Sequence, residues 1–295
     1  MHALLYHSSY RRCLARIACS RCHGSHLSFK RQFSRSAFLN GHSAHNPEPI
    51  APSLKGKSCI ITGASRGIGA EIARRFAKEG VECILVGRNE KSLYGIKDEL
   101  IVGDEMEHRV VVGDVGDMDF WKGMKKEVYQ KKVHILVNAA GVTHYSPLFI
   151  TSPSLLEEVL RTNLMGTMMA CRTVGKNMMA SRGGCIINVA SLLGMKGGKG
   201  SAAYAASKAG VIGLTRALAA ELGEKNVRVN VIVPGYVETD MTEGMSSDAR
   251  SEAINAIPLK RFGQPSEIAH AAVFLAANTY ANNCVLNLDG GLSAI

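Results

Sequence analysis

Ser58-Cys59-Ile60-Ile61-Thr62-Gly63-Ala64-Ser65-Arg66-Gly67-Ile68-Gly69 decides how the rest of the chain is read. Its first part is short, apolar and continuous rather than alternating. A strand buried on both faces of a parallel sheet has that pattern. The run passes into a turn with three glycines and then into a helical pattern over Ile68–Lys78. Gly63 permits a sharp turn, Gly67 lets the backbone approach a phosphate, and Gly69 lets the new helix pack against the strand. With Ser65, Arg66 and Ile68 they place free N–H groups and the positive end of a helix dipole at the turn. The spacing is TGxxxGxG rather than GxGxxG, and its meaning comes from its place after a strand and before a helix.

Outward from this unit the same alternation repeats. Apolar runs at Glu82–Val86, Arg109–Val112, Val133–Asn138, Cys185–Val189, Arg228–Val233 and Cys284–Leu288 read as further strands. Helical patterns lie over Lys91–Leu100, Phe120–Lys131, Ser154–Met179, Ala202–Leu222 and Ser266–Ala277. This predicts one α/β domain, a doubly wound parallel sheet with helices on both faces. Glu238–Pro265 has no strand pattern and is a candidate lid over the carboxyl ends of the strands, where such sheets bind ligands.

The 295 residues are 46% apolar and 20% charged, which excludes a wholly disordered chain. No apolar run is long enough to span a bilayer. The net charge of +10 is concentrated at the start. Residues 1–47 hold Arg11, Arg12, Arg16, Arg21, Lys30, Arg31 and Arg35 and no acid, leaving 28 Lys/Arg against 25 Asp/Glu beyond. A body of +3 does not read as a nucleic-acid surface. Cys19 and Cys22 form a CxxC without a second pair, so no metal site is expected, and the later cysteines sit mostly in apolar runs.

The basic, acid-free residues 1–46 have the composition of a mitochondrial transit peptide, with Arg31-Gln32-Phe33-Ser34 similar to a processing site cut after Phe33. This predicts the mitochondrial matrix. Residues 47–53 form a linker stiffened by Pro47, Pro49 and Pro52, and the folded domain is expected over 54–295.

An acid ~20 residues past the glycine turn marks NAD-binding sheets, because it bonds the ribose 2′-hydroxyl. Here the second strand ends at Val86-Gly87-Arg88, and Arg66 stands in the turn. Two cations and no acid favour a 2′-phosphate, hence NADPH/NADP.

Tyr204 and Lys208 are four apart on a predicted helix and share one face. An ammonium beside a phenol favours the phenolate and is expected to lower its pKa. In ketone reduction the phenol protonates the developing alkoxide. Ser191, after a strand, can hold the carbonyl oxygen, and Asn163 can anchor a water or backbone link to the lysine.

Thr62–Gly69, Asn138-Ala139-Ala140-Gly141, Asn163, Ser191, Tyr204-Ala205-Ala206-Ser207-Lys208 and Pro234-Gly235 together resemble the short-chain dehydrogenases/reductases over roughly residues 55–295. The resemblance implies a single Rossmann-like domain, commonly tetrameric, with Asn163, Ser191, Tyr204 and Lys208 as catalytic residues. It also implies that Lys208 bonds the nicotinamide ribose, Asp114 and Val115 flank the adenine, and Asn138 and Gly141 line the cofactor cleft. Val237 and Thr239, after Pro234-Gly235, would meet the nicotinamide carboxamide and the phosphates.

Within the family, TGASRGIG, VRVNVIVPGYVETDM and PLKRFGQPSEIAHAAVFLA resemble 3-oxoacyl-[acyl-carrier-protein] reductases, and the short ending after Leu275 resembles the mitochondrial carbonyl reductase type. The implied partner is acyl carrier protein, meeting Arg182 and Lys225, and the implied assembly is a homotetramer, with a heterotetramer as the alternative. Asn282-Asn283 stands where the family usually has Thr-Gly, and Val142–Leu148 lacks its usual Thr-Arg-Asp. A broader carbonyl, quinone or polyol oxidoreductase, and a non-catalytic NADP-binding subunit, are the competing readings.

Overall fold

The computed structural model describes residues 53–101 and 106–294. The predicted transit peptide and the linker through residue 52 lie outside the described residues. Strands β1 (Ser58–Thr62), β2 (Glu82–Gly87), β3 (Arg109–Val112), β4 (Ile135–Asn138), β5 (Gly184–Val189), β6 (Val227–Pro234) and β7 (Val285–Leu288) pair in parallel in the order β3-β2-β1-β4-β5-β6-β7. The order reverses between β1 and β4. There the loops leaving the two strands diverge to opposite faces and open a crevice at the carboxyl edge.

The apolar runs are continuous because both faces are covered. Cys59 and Ile61 pack on one side with helices α1 (Gly67–Lys78) and α2 (Glu90–Glu99), while Ile60 packs on the other with α3 (Met118–Gln130). The predicted helix over Ser154–Met179 is interrupted. It is α4 (Pro153–Leu160), a π-turn over Arg161–Met165, and α5 (Gly166–Ala180). The break sits at Asn163, fully buried, whose Oδ1 accepts from Val142 N at 2.8 Å and whose Nδ2 donates to Val142 O at 2.9 Å. The amide behaves as a backbone partner for the loop after β4, and a widened turn aims it there.

Helices α6 (Leu193–Lys196) and α7 (Ala202–Gly223) follow β5. The predicted lid carries α8 (Asp240–Glu243) and α9 (Ser247–Ala256) over a small core of Ala253, Ile257 and Phe262, and α10 (Pro265–Ala277) closes the first face.

The Asn282-Asn283 pair has a structural account. Asn282 Oδ1 accepts from Val229 N at 2.9 Å and its Nδ2 donates to Ala219 O at 3.2 Å, tying β6 to α7. Asn283 takes φ +59°, a left-handed conformation that asparagine tolerates better than most side chains. Cys59, Cys83, Cys171 and Cys185 are buried free thiols, and burial pushes each of their pKa values up.

Candidate active site

The turn from β1 into α1 is built by close approach. A Cβ on Gly63 would lie 2.6 Å from the Ala140 backbone, and one on Gly69 would lie 2.2 Å from Gly63 O. No other residue type fits either position. No side chain caps α1, so the N–H groups of its first turn remain available at the crevice.

One cleft at the carboxyl edge gathers most of the expected residues. Its walls include Gly63, Ser65, Arg66, Gly67, Ile68 and Gly69 from the turn, Arg88 after β2, Asp114 and Val115 after β3, and Gly141 after β4. Ser191, Tyr204, Lys208, Pro234, Gly235, Val237 and Thr239 complete it. An uncapped helix start and a glycine-lined floor fit the pyrophosphate of a dinucleotide, and no acid stands at the end of β2, where Asn89 instead caps α2.

Two expected residues stand elsewhere. Asn138 does not line the cleft. It is 3% exposed, and its Nδ2 donates to Asn188 Oδ1 at 2.8 Å on the neighbouring strand. The parallel register sets Asn138 opposite Asn188, so the amide fastens β4 to β5 beneath the floor. Asn163 lies behind the cleft wall. A Cβ on Gly141 would be 3.4 Å from both Asn163 Oδ1 and Lys208 Nζ, so the bare glycine lies close against both.

Lys208 is 4% exposed and donates from Nζ to Val189 O at 2.9 Å, while Nζ lies 5.7 Å from the Tyr204 ring centroid. Burial pulls the lysine down to about 8. The expected lowering of the tyrosine by this ammonium is not the outcome. Burial pushes the Tyr204 phenol above its ordinary value, opposed by a hydrogen bond from Ser191. A protonated phenol suits proton donation.

Arg66 is engaged by an acid that the sequence reading did not single out. Its Nη1 lies 3.1 Å from Asp240 Oδ2, joining the turn to α8 across the cleft mouth. Asp114 accepts from Gly116 N at 2.8 Å and pairs with Arg161 at 3.5 Å. Neither ion pair has a local signature, because each joins residues remote in sequence.

Arg182 and Lys225 stand on the opposite edge of the sheet. Arg182 precedes β5 and Lys225 precedes β6, and Gly184 N donates to Asn226 O between them. They adjoin the amino ends of the strands whose carboxyl ends reach the cleft, about 20 Å away along β5. Attachment to the same elements therefore does not bring them beside the site.

The family described as enoyl-(acyl carrier protein) reductase matches residues 63–293. A 3-oxoacyl-[acyl-carrier-protein] reductase of Rattus norvegicus is 40% identical over 237 residues, spanning 80% of this chain and 98% of the relative. One of Chlamydia muridarum is 38% identical over 244 residues, spanning 81% and 98%. Among solved structures, a protein of Beutenbergia cavernae described as an NAD(P)-dependent gluconate 5-dehydrogenase, with bound NADP, aligns with a TM-score of 0.79 at 36% identity, covering 82% of this chain and 99% of the other.

Proposed function

The chain belongs to the short-chain dehydrogenase/reductase family of oxidoreductases, and on that premise we propose that it uses NADPH to reduce 3-oxoacyl groups carried on acyl carrier protein. The observation that carries the proposal is one cleft whose wall joins the glycine turn to a buried Tyr204–Lys208 pair beside Ser191. When bound, the nicotinamide supplies hydride to the carbonyl carbon. Ser191 holds the carbonyl oxygen. Tyr204 gives its phenolic proton to that oxygen, so that one C–H and one O–H bond form and the ketone becomes an alcohol. Lys208 sets its charge beside the phenol and would hold the nicotinamide ribose, while Asn163 fixes the loop that brings Gly141 against the lysine. Arg88 and Arg66, which both line the cleft, would hold the 2′-phosphate.

The named relatives support the acyl substrate, and the basic, acid-free leader supports the mitochondrial matrix as the compartment. The proposed assembly is a homotetramer, with a heterotetramer as the alternative. A polyol or general carbonyl substrate is the second reading, favoured by the loop Val142–Leu148 and by the described activity of the gluconate 5-dehydrogenase neighbour. Steady-state kinetics with NADPH decide between them. Acetoacetyl carrier protein should exceed simple ketones, quinones and gluconate-type polyols in kcat/KM by at least tenfold, and parity would overturn the acyl reading. Residues 1–46 fused to a fluorescent reporter should carry it into mitochondria, and a cytosolic reporter would overturn the compartment.

A further inference from the structure

Thr162 lines the cleft and is 5% exposed, yet its Oγ1 has no hydrogen-bond partner. Buried helical threonines commonly turn the hydroxyl onto a carbonyl one turn back. This chain does so twice nearby. Thr167 Oγ1 donates to Asn163 O at 2.8 Å, and Thr215 Oγ1 donates to Val211 O at 2.8 Å. Thr162 instead stands in the π-turn over Arg161–Met165, where the ladder is widened, and its hydroxyl is left buried and unpartnered in a residue that lines the cleft. A buried hydroxyl with no partner is a standing penalty that a ligand atom can relieve.

The same turn is fastened to the loop after β3. Arg161 pairs with Asp114 at 3.5 Å, and a Cβ on Gly166 would lie 2.9 Å from Val115 Cγ2. In the order β3-β2-β1-β4 this loop lies across β1 from β4. With a pyrophosphate on the start of α1 and the reacting ring beside Tyr204, the adenosine half occupies the β2–β3 side. We infer that Thr162 Oγ1 hydrogen-bonds the adenosine half of the dinucleotide. The inference rests on the NADPH reading above and is independent of the acyl substrate.

Calorimetric titration of the full chain with NADPH, with 2′,5′-ADP and with nicotinamide mononucleotide tests it. Thr162→Val keeps the shape and removes the hydroxyl. It should raise Kd for NADPH and for 2′,5′-ADP by the same factor of about 3–10 and leave the mononucleotide unchanged. Thr162→Ser should restore binding. Thr173 supplies the control, since its Oγ1 is also buried without a partner but does not line the cleft. Thr173→Val should therefore leave every Kd as it was. The inference is overturned if Thr162→Val binds 2′,5′-ADP as tightly as the wild type, or if the serine variant is equally impaired, which would assign the effect to the methyl group. A wild-type chain that holds neither nucleotide would overturn the NADPH reading and this inference with it.

Discussion

At the carboxyl edge of the sheet, strand ends, an uncapped helix start and bare glycine backbone surround an open cleft. At the amino edge of the same sheet, Lys57, Lys132, His134 and Arg228 border a second groove, where the Arg228 guanidinium and one His134 ring nitrogen are spent on the fold. The Arg228 guanidinium donates to Leu275 O, Ala276 O and Ala281 O, where α10 ends. His134 Nδ1 accepts from Ser58 N at 3.1 Å. Burial, then Lys132 and Lys57, hold that imidazole below its ordinary pKa. A parallel sheet flanked by helices makes its two edges unequal: helix starts gather at one and helix ends at the other, so cations at the amino edge satisfy carbonyls while donors at the carboxyl edge stay free for a ligand.

The sharpest way to break this contrast is at Tyr204. Tyr204→Phe should lower kcat about 10²–10⁴-fold while Kd for NADPH stays within twofold, as read by single-turnover kinetics and fluorescence titration. A variant with near-normal turnover would take the proton transfer away from the cleft.

Lys208 extends the comparison to stability. Its folded pKa of about 8 lies below the ordinary 10.5, so the folded chain holds fewer protons than the unfolded chain between those values. Stability of the free protein should therefore rise with pH from about 8 to 10.5, and the full penalty, on the order of 3 kcal/mol, applies below that window. Lys208→Met should melt higher than the wild type at pH 7, lose the slope across the window, and be inactive. Denaturant titrations at several pH values check this, and an unchanged slope would remove the buried cation from the account.

Arg88→Asp should shift the kcat/KM ratio of NADPH to NADH toward NADH by about 10–100-fold, the scale of a charge-assisted bond. An unchanged ratio would leave Arg66 as the reader of the phosphate.

The smallest expected effect tests whether the amino edge serves the reaction at all. Arg182→Glu combined with Lys225→Glu should raise KM for an acyl carrier protein substrate about 3–10-fold at low salt, fading above ~0.1 M, and spare a free acyl thioester. Equal loss on both substrates would make the pair structural, and no loss on either would confine recognition to the carboxyl edge.

The β1 turn was legible because its chemistry is local. Gly63, Gly67 and Gly69 lie within one strand-to-helix connection, and their spacing alone implies close backbone approach. The seven strands were legible because continuous β-branched runs fit only a sheet covered on both faces. The break at Asn163 was not, since a helical period runs through it unaltered and only the loop after β4 gives the amide a reason to turn inward. The sequence could place Tyr204 and Lys208 on one face, but it could not weigh burial against charge.

By itself, then, the sequence determined strand order in time, the phosphate-approaching turn and the pairing of tyrosine with lysine, because each depends on neighbours a few residues apart. The tertiary structure alone decided that Asn138 fastens two strands rather than lining the cleft, that Asp240 holds Arg66, that Thr162 keeps an unpartnered hydroxyl, and that Arg182 and Lys225 stand at the amino edge of the sheet, opposite the site. The physical reason is that these facts depend on burial and on contacts between elements far apart along the chain, and neither leaves a local pattern.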